Sequence, residues 1–369
     1  QRQMCIRDRH LISLYAAQCG KKPVVLAGRN AHKAFVNACA LLDIGIEWLY
    51  PDDEQSYIAC NITAQQISER LAEQHGRITA VYITSPDYLG NMQDIAAIAR
   101  ACHEYGALLS VDNAHGAYLK FLPTPMHPMD LGADICCDSA HKTLGVITGG
   151  AYLHISVSAP AVLAERAKAS FSVFGTSSPS YLILQSLDAA NGTTEAFRNE
   201  LRTFLPAADA LKAKLAAHGF ELAGSEALKL TLKPKSFGYS GQDIAATLEA
   251  ANIYPEFYDP DYIVLMLSPR HSERELDALC DTLCSLPRRV PIVSAPPPMP
   301  RPERAISPRE ALLAAAEKVP LTRCLGRISA ASAIGCPPAI PIVIMGERIN
   351  FAAIACLEYY GIESCMVVK

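Results

Sequence analysis

Two short stretches decide the reading: Leu108-Leu109-Ser110-Val111-Asp112-Asn113-Ala114-His115-Gly116 and Ile135-Cys136-Cys137-Asp138-Ser139-Ala140-His141-Lys142-Thr143. Each begins as a short apolar run and breaks into polar residues at its carboxyl end. Such runs, bounded by turn residues, read as buried strands of a parallel sheet. Ligands of parallel sheets bind beyond the carboxyl ends of the strands. Asp112, His115, Ser139, His141 and Lys142 therefore stand where chemistry is expected.

The surrounding chain supports a sheet of this kind. Apolar runs at 23–27, 46–50, 80–84, 107–111, 133–137 and 150–155 alternate with helical patterns at 10–18, 31–42, 63–74 and 91–105. The alternation implies an α/β fold, with a mostly parallel sheet covered on both faces. Further polar groups cluster at the other strand ends, in Gly28-Arg29-Asn30 and Thr84-Ser85-Pro86. Residues 179–215 read as one or two long helices. Strands and helices then return over 219–286 with α+β spacing.

Seven prolines in residues 287–302 mark an extended linker. Ser307-Pro308-Arg309-Glu310 is a capping box with proline at the first helical position. The expected organisation is a large domain over 10–200, a smaller α+β domain over 201–286, a linker over 287–302 and a C-terminal α+β unit over 303–369. Residues 1–9 show no helical or strand period. They read as a non-native junction, with the natural start of the chain missing.

Composition narrows the function. The 369 residues are 50% hydrophobic and 19% charged, as in a globular protein. Net charge is −4, which gives no pull toward nucleic acid or an anionic membrane. Apolar runs stay well below the roughly 18 residues of a membrane span. No secretory leader is apparent, and 13 scattered cysteines without a Cys-x-x-Cys suit free thiols in the cytoplasm. A zinc site at Cys136-Cys137 with His127 or His141 is disfavoured, because neighbouring strand side chains point to opposite faces. No metal is expected.

Asp112 and Lys142 together are informative. A lysine beside a strand end can form a Schiff base with an aldehyde cofactor. Pyridoxal phosphate also needs a carboxylate against its ring nitrogen and donors for its phosphate. Asp112 supplies the first, and Ser139, His141 and Thr143 could supply some of the second. Lys33, in a similar Ala-His-Lys triplet, is the weaker Schiff-base candidate.

Read together, Val111-Asp112-Asn113-Ala114-His115-Gly116-Ala117-Tyr118, Gly132-Ala133-Asp134 and Ser139-Ala140-His141-Lys142-Thr143-Leu144 resemble the Orn/Lys/Arg decarboxylase family. The likeness continues through Gly28-Arg29-Asn30-Ala31-His32-Lys33, Thr176-Ser177-Ser178-Pro179-Ser180-Tyr181, Pro337-Pro338-Ala339-Ile340-Pro341 and Gly346-Glu347-Arg348-Ile349, in family order. It implies a fold type I, pyridoxal-phosphate-dependent, transferase-like large domain. It further implies that Lys142 carries the cofactor and Asp112 pairs with its ring nitrogen. His32 would stack on the ring, with His115 and Ala114 close to it. Ser139 and His141 would contact the phosphate, and Ser177 and Ser178 would come from the partner of a homodimer or higher oligomer.

The implied reaction is decarboxylation of arginine, lysine or ornithine, with arginine favoured, leading to polyamines or cadaverine. Glu256, Asp259 and Glu347 are candidates to hold the substrate's distal cation, and Arg29 is either a ligand or half of a salt bridge. Another reaction of the same cofactor, such as transamination or elimination, and a non-catalytic truncated relative remain as alternatives. Family members carry a small-residue phosphate loop where residues 1–9 stand. Asp8 would there set a negative charge beside the phosphate.

Overall fold

The computed structural model describes residues 4–52, 56–176, 178–331 and 338–369. Helix α1 (Met4–Gln18) leads into β1 (Val24–Gly28), α2 (Lys33–Leu42), β2 (Gly45–Leu49), α3 (Ala64–Glu73), β3 (Ala80–Thr84), α4 (Ile95–Glu104) and β4 (Leu108–Asp112). Next come β5 (Ile135–Asp138), the single turn α5 (Ala140–Thr143), β6 (Tyr152–Ile155), α6 (Ala161–Phe174), α7 (Tyr181–Gly192) and the long α8 (Thr194–His218). The strands form one sheet in the order β2-β1-β3-β4-β5-β6. All neighbours are parallel except β5–β6. Its central strands are buried on both faces, which is why their sequences are runs rather than alternations.

Local signals set the helix starts. Thr63 caps α3 in a reciprocal box with Gln66, and Asp94 accepts the Ala97 N–H ahead of α4. The expected start of α4 at residue 91 moves to Ile95, because Asn91 instead donates to Asp87.

The first helix also begins earlier than residue 10. Asp8 and Arg9 lie inside it and are buried. Arg9 donates to Ser110 Oγ at 3.1 Å, and its guanidinium lies 4.1 Å from the Tyr82 ring centroid and 4.6 Å from that of Phe35. These contacts cover the charge with π faces and a hydroxyl, so the turn packs despite its lack of apolar periodicity.

A second sheet, β7-β8-β10-β9, is antiparallel and is built from β7 (Glu221–Ala223), β8 (Lys229–Lys233), β9 (Phe257–Tyr258) and β10 (Ile263–Met266). With α9 (Gly241–Ala250) and α10 (Glu273–Cys284) it encloses a core of Leu230, Leu232, Ile244, Ile263 and Leu283. Residues 287–303 carry no helix or strand. The last unit holds α11 (Pro308–Leu313), β11 (Ala316–Pro320), α12 (Phe351–Tyr359) and β12 (Ser364–Val368), with β11 and β12 paired antiparallel. Ser307 and Glu310 form the expected capping box. Residues 338–347 of this unit are almost wholly buried.

Candidate active site

Three strand ends meet at one place. Strand β4 ends in Asp112, which is buried. Its Oδ2 accepts from Tyr82 Oη at 2.7 Å and its Oδ1 from the Ala114 N–H at 3.1 Å. The loop that follows turns sharply at Gly116. A Cβ there would meet Asn113 Oδ1 at 2.0 Å and Pro86 Cδ at 2.7 Å, so only glycine lets the Asp112–His115 loop close on the next strand end. From β5, Ser139 caps the single turn α5 and carries Lys142 toward the same point. Lys142 Nζ lies 2.7 Å from His115 Nε2.

Burial, reinforced by the charges of Lys229, Lys142, His32 and His141, holds the His115 imidazole well below its usual range. The ring is therefore neutral near pH 7. Its Nε2 then accepts from Lys142 Nζ, which leaves the ring proton on Nδ1.

His141 donates from Nδ1 to the Gly150 carbonyl at 2.9 Å. Burial lowers its pKa as well. His32 is the N-cap of α2, and its Nδ1 accepts the Ala34 N–H at 3.1 Å. A cavity of about 190 Å³ opens along His141, Lys142, Thr143, Leu267 and Arg270. A larger one of about 570 Å³ adjoins it through Leu144, Phe197 and Arg270 and surrounds Asp138 instead of Lys142. Lys142 and His141 line the smaller cavity and not the larger one.

Residues that sequence reasoning missed complete the site. Tyr88, in the β3–α4 loop, packs edge-on to His115 with ring centroids 5.1 Å apart, and Lys142 Nζ lies 5.9 Å from its ring centroid. Tyr88 Oη donates to Glu256 Oε1 at 2.9 Å, which brings a carboxylate of the small domain to the large-domain strand ends. The only signal in the sequence was its place just after Thr84-Ser85-Pro86.

Asn113, passed over in the motif, donates to Asp138 Oδ1 at 2.7 Å. Asp138 also receives His127 Nε2 at 3.0 Å and His154 Nε2 at 2.9 Å, and these bonds hold its carboxyl below the usual carboxylate range against the effect of burial. His127, Cys136 and Asp138 present ligand atoms within 4.8 Å of one another. His127 Nδ1, however, accepts the Met129 N–H at 3.3 Å, so the ring's proton sits on Nε2 and is given to Asp138. A histidine that ligates through Nε2 carries its proton on Nδ1. The cluster is a hydrogen-bonded hub that anchors the Asp112–His115 loop.

Two sequence candidates for the substrate's cation are not brought to the site. Glu347 is buried and paired with Arg29 at 3.2 Å, so Arg29 is half of a salt bridge. Asp259 is buried, and its Oδ1 accepts the Asp261 and Tyr262 N–H groups at 2.7 and 2.8 Å. Asp8 faces Cys137, whose Sγ lies 3.3 Å from its Oδ2. Burial, with a smaller push from Asp112, raises its carboxyl to about 6. Ser178 is exposed, and Ser177 and Pro337 lie outside the described residues.

Comparison with known proteins is decisive at this point. The profile of the Orn/Lys/Arg decarboxylase major domain matches residues 11–233, and that of the C-terminal domain matches residues 294–364. The chain belongs to the Orn/Lys/Arg decarboxylase family. It is 30% identical over 362 residues to the uncharacterized protein YaaO of Bacillus subtilis (strain 168), covering 92% of this chain and 74% of that one. It is 29% identical to the arginine decarboxylase of the same organism, covering 92% and 73%. Lysine decarboxylase A from Pseudomonas aeruginosa shares the fold at a TM-score of 0.79 and 16% identity, over 100% of this chain and 68% of that one.

Members of the family are pyridoxal-phosphate-dependent amino-acid decarboxylases with the fold type I architecture, and this chain is one of them. Its own residues suit the cofactor. Thr84 Oγ1, Asn113 Oδ1, His115 Nδ1 and Thr143 Oγ1 are buried without a hydrogen-bond partner; Thr84 ends β3, Asn113 and His115 follow β4, and Thr143 closes the turn α5 after β5. Buried polar atoms cost about 1–3 kcal/mol each when unpaired. A set of them around one lysine and one carboxylate marks a place built for a polar guest. Among the described residues, no helix is long and apolar enough to cross a membrane.

Proposed function

We propose that this chain removes the α-carboxylate of a basic amino acid, arginine before lysine or ornithine, releasing the amine and CO₂. The observation that carries the reading is the 2.7 Å contact of Lys142 Nζ with neutral His115 beside the Asp112 carboxylate at adjacent strand ends. The names borne by relatives at 27–29% identity, several of them arginine decarboxylases, favour arginine.

Lys142 would hold the cofactor's aldehyde carbon, and Asp112 would face its ring nitrogen. His32 and Ala114 would flank the ring, while Ser139, His141, Ser177 and Ser178 would serve its phosphate. Pyridoxal phosphate supplies the electron sink that accepts the bonding pair as CO₂ departs. The protein supplies the rest. Tyr82 Oη fixes one oxygen of Asp112, which keeps the carboxylate aimed along the strand. His115 stays unprotonated because it is buried among cations, so its Nε2 accepts the hydrogen bond from Lys142 Nζ and leaves the proton on that nitrogen. That proton is the one the α-carbon needs after decarboxylation.

Glu256 is the best of the three acidic candidates for the distal cation. Tyr88 holds it toward Lys142, and its charge is felt at His141.

A homodimer or higher oligomer completes this reading. Helix α7 has no buried residue, and it exposes Tyr181, Leu182 and Leu184 beside Ser178 and Ser180. An apolar face of this kind seeks a partner, and a second copy would bring Ser178 to a neighbouring site. The described cysteines are unbridged, in keeping with a cytoplasmic setting. Release of CO₂ from carboxyl-labelled arginine, lysine and ornithine by the cofactor-loaded chain tests the reaction. Failure with all three would refute it.

A further inference from the structure

Two stretches singled out in the sequence, Gly28–Lys33 and residues 339–347 of the C-terminal unit, lie more than 300 residues apart, yet they are bolted together. Arg29, at the carboxyl end of β1, is 1% exposed. It sends Nη1 to the Pro341 carbonyl at 2.8 Å, and Nη2 to the Ile342 carbonyl at 3.0 Å and Glu347 Oε2 at 3.2 Å. The same Glu347 oxygen accepts the Ile344 N–H at 2.8 Å. Four residues beyond Arg29, the Lys33 N–H donates to the Ala339 carbonyl at 2.8 Å, and Ala339 adopts a left-handed φ of 58° to present it. His32 therefore sits between two residues that are both held by the C-terminal segment. Its ring is tied to the backbone of α2 through the Ala34 N–H, so a shift of this helix start moves the imidazole.

We infer that segment 338–347 of the C-terminal unit is the positioning element for His32, and that Glu347 is a positioning residue acting on it through Arg29. The inference rests on the proposed placement of His32 at the cofactor ring. Arg304 donates to the Ile46 carbonyl at 2.9 Å and Arg309 to the Leu41 carbonyl at 2.8 Å, fastening the same unit to β2 and to the far end of α2. Attachment is already provided there. The Arg29 contacts lie instead at the strand ends, on the two flanks of one histidine. A buried arginine with three acceptors defines a single geometry, which a lysine could not reproduce.

The test compares E347A, R309A, H32A and the double variant H32A/E347A as full chains. Hydrogen exchange over residues 29–36 is measured without cofactor, and the dissociation constant for added pyridoxal phosphate is read from its absorbance. E347A is expected to speed exchange at the start of α2 and to weaken cofactor binding about tenfold or more, the effect of losing a buried charged hydrogen bond. R309A should do neither. In the H32A background, E347A should add little further loss of cofactor affinity.

The inference is overturned if folded E347A keeps wild-type exchange and affinity while H32A weakens binding, or if R309A matches E347A in both. If H32A alone leaves affinity unchanged, the placement of His32 fails and the inference falls with it. Should E347A not fold, E347Q keeps an acceptor for the Ile344 N–H without the charge and takes its place in every comparison.

Discussion

Replacing Asp259 by asparagine separates a structural carboxylate from a catalytic one. Asp259 is buried. Its Oδ1 is satisfied by two backbone N–H groups, and its Oδ2 has no partner. Burial is the main cause that lifts its pKa from 3.8 to about 7, with a further push from Asp261 and opposing pulls from those N–H bonds and Lys235. The folded chain thus holds the proton more tightly than the unfolded chain. Below about pH 4 the group is protonated in both states and costs nothing. The penalty grows as pH rises between about 4 and 7 and is complete above that, at roughly 4 kcal/mol for a shift of some three units.

Asparagine is isosteric and never ionises, although its amide group inherits the partnerless position. That cost is the same at every pH and cancels when two pH values are compared. Moving from pH 5 to pH 8.5, D259N should gain about 3 kcal/mol relative to wild type, or roughly 4 °C in melting temperature. Thermal melts at the two pH values read this directly. An equal effect at both would refute the burial argument. Because Asp259 does not reach Lys142, KM for the amino acid should be unchanged, and a large rise in KM would return it to the site.

Glu256→Gln should raise KM for the basic amino acid about tenfold to a hundredfold with a smaller change in kcat, since it removes one charged contact. Steady-state kinetics at saturating cofactor check this. Gly346→Ala should destabilise the chain by several kcal/mol, because φ is +90° and a Cβ would meet the Ile306 carbonyl oxygen at 2.5 Å; a melting temperature within a degree of wild type would contradict it. Leu232→Ala, a fully buried deletion in the small-domain core, should cost about 2–5 kcal/mol in urea unfolding.

How much of this was legible in the sequence depends on the reach of each signal. The β4 and β5 runs and their polar ends were readable because a buried parallel strand writes itself as an apolar run, and a strand end as the residue where the run stops. Asp112, His115 and Lys142 follow from that alone. Tyr88 did not, since it carries no local pattern, and its bond joins the β3–α4 loop to Glu256, which the sequence offered only as one of three acidic candidates. Glu347 stood among the candidates because a carboxylate in a motif looks the same whether it awaits a substrate cation or is already paired with Arg29. Arg9 was missed for a related reason: its burial depends on the π faces of Tyr82 and Phe35, which no helical period announces.

The most direct measurement is the absorbance spectrum of the purified chain with added pyridoxal phosphate, before and after borohydride, followed by identification of the modified peptide. A visible band that borohydride abolishes, with the reduced pyridoxyl group fixed on Lys142 and none on Lys142→Ala, is the expected result. A band fixed on Lys33 or another lysine, with Lys142→Ala binding as well as wild type, would contradict the assignment of the site.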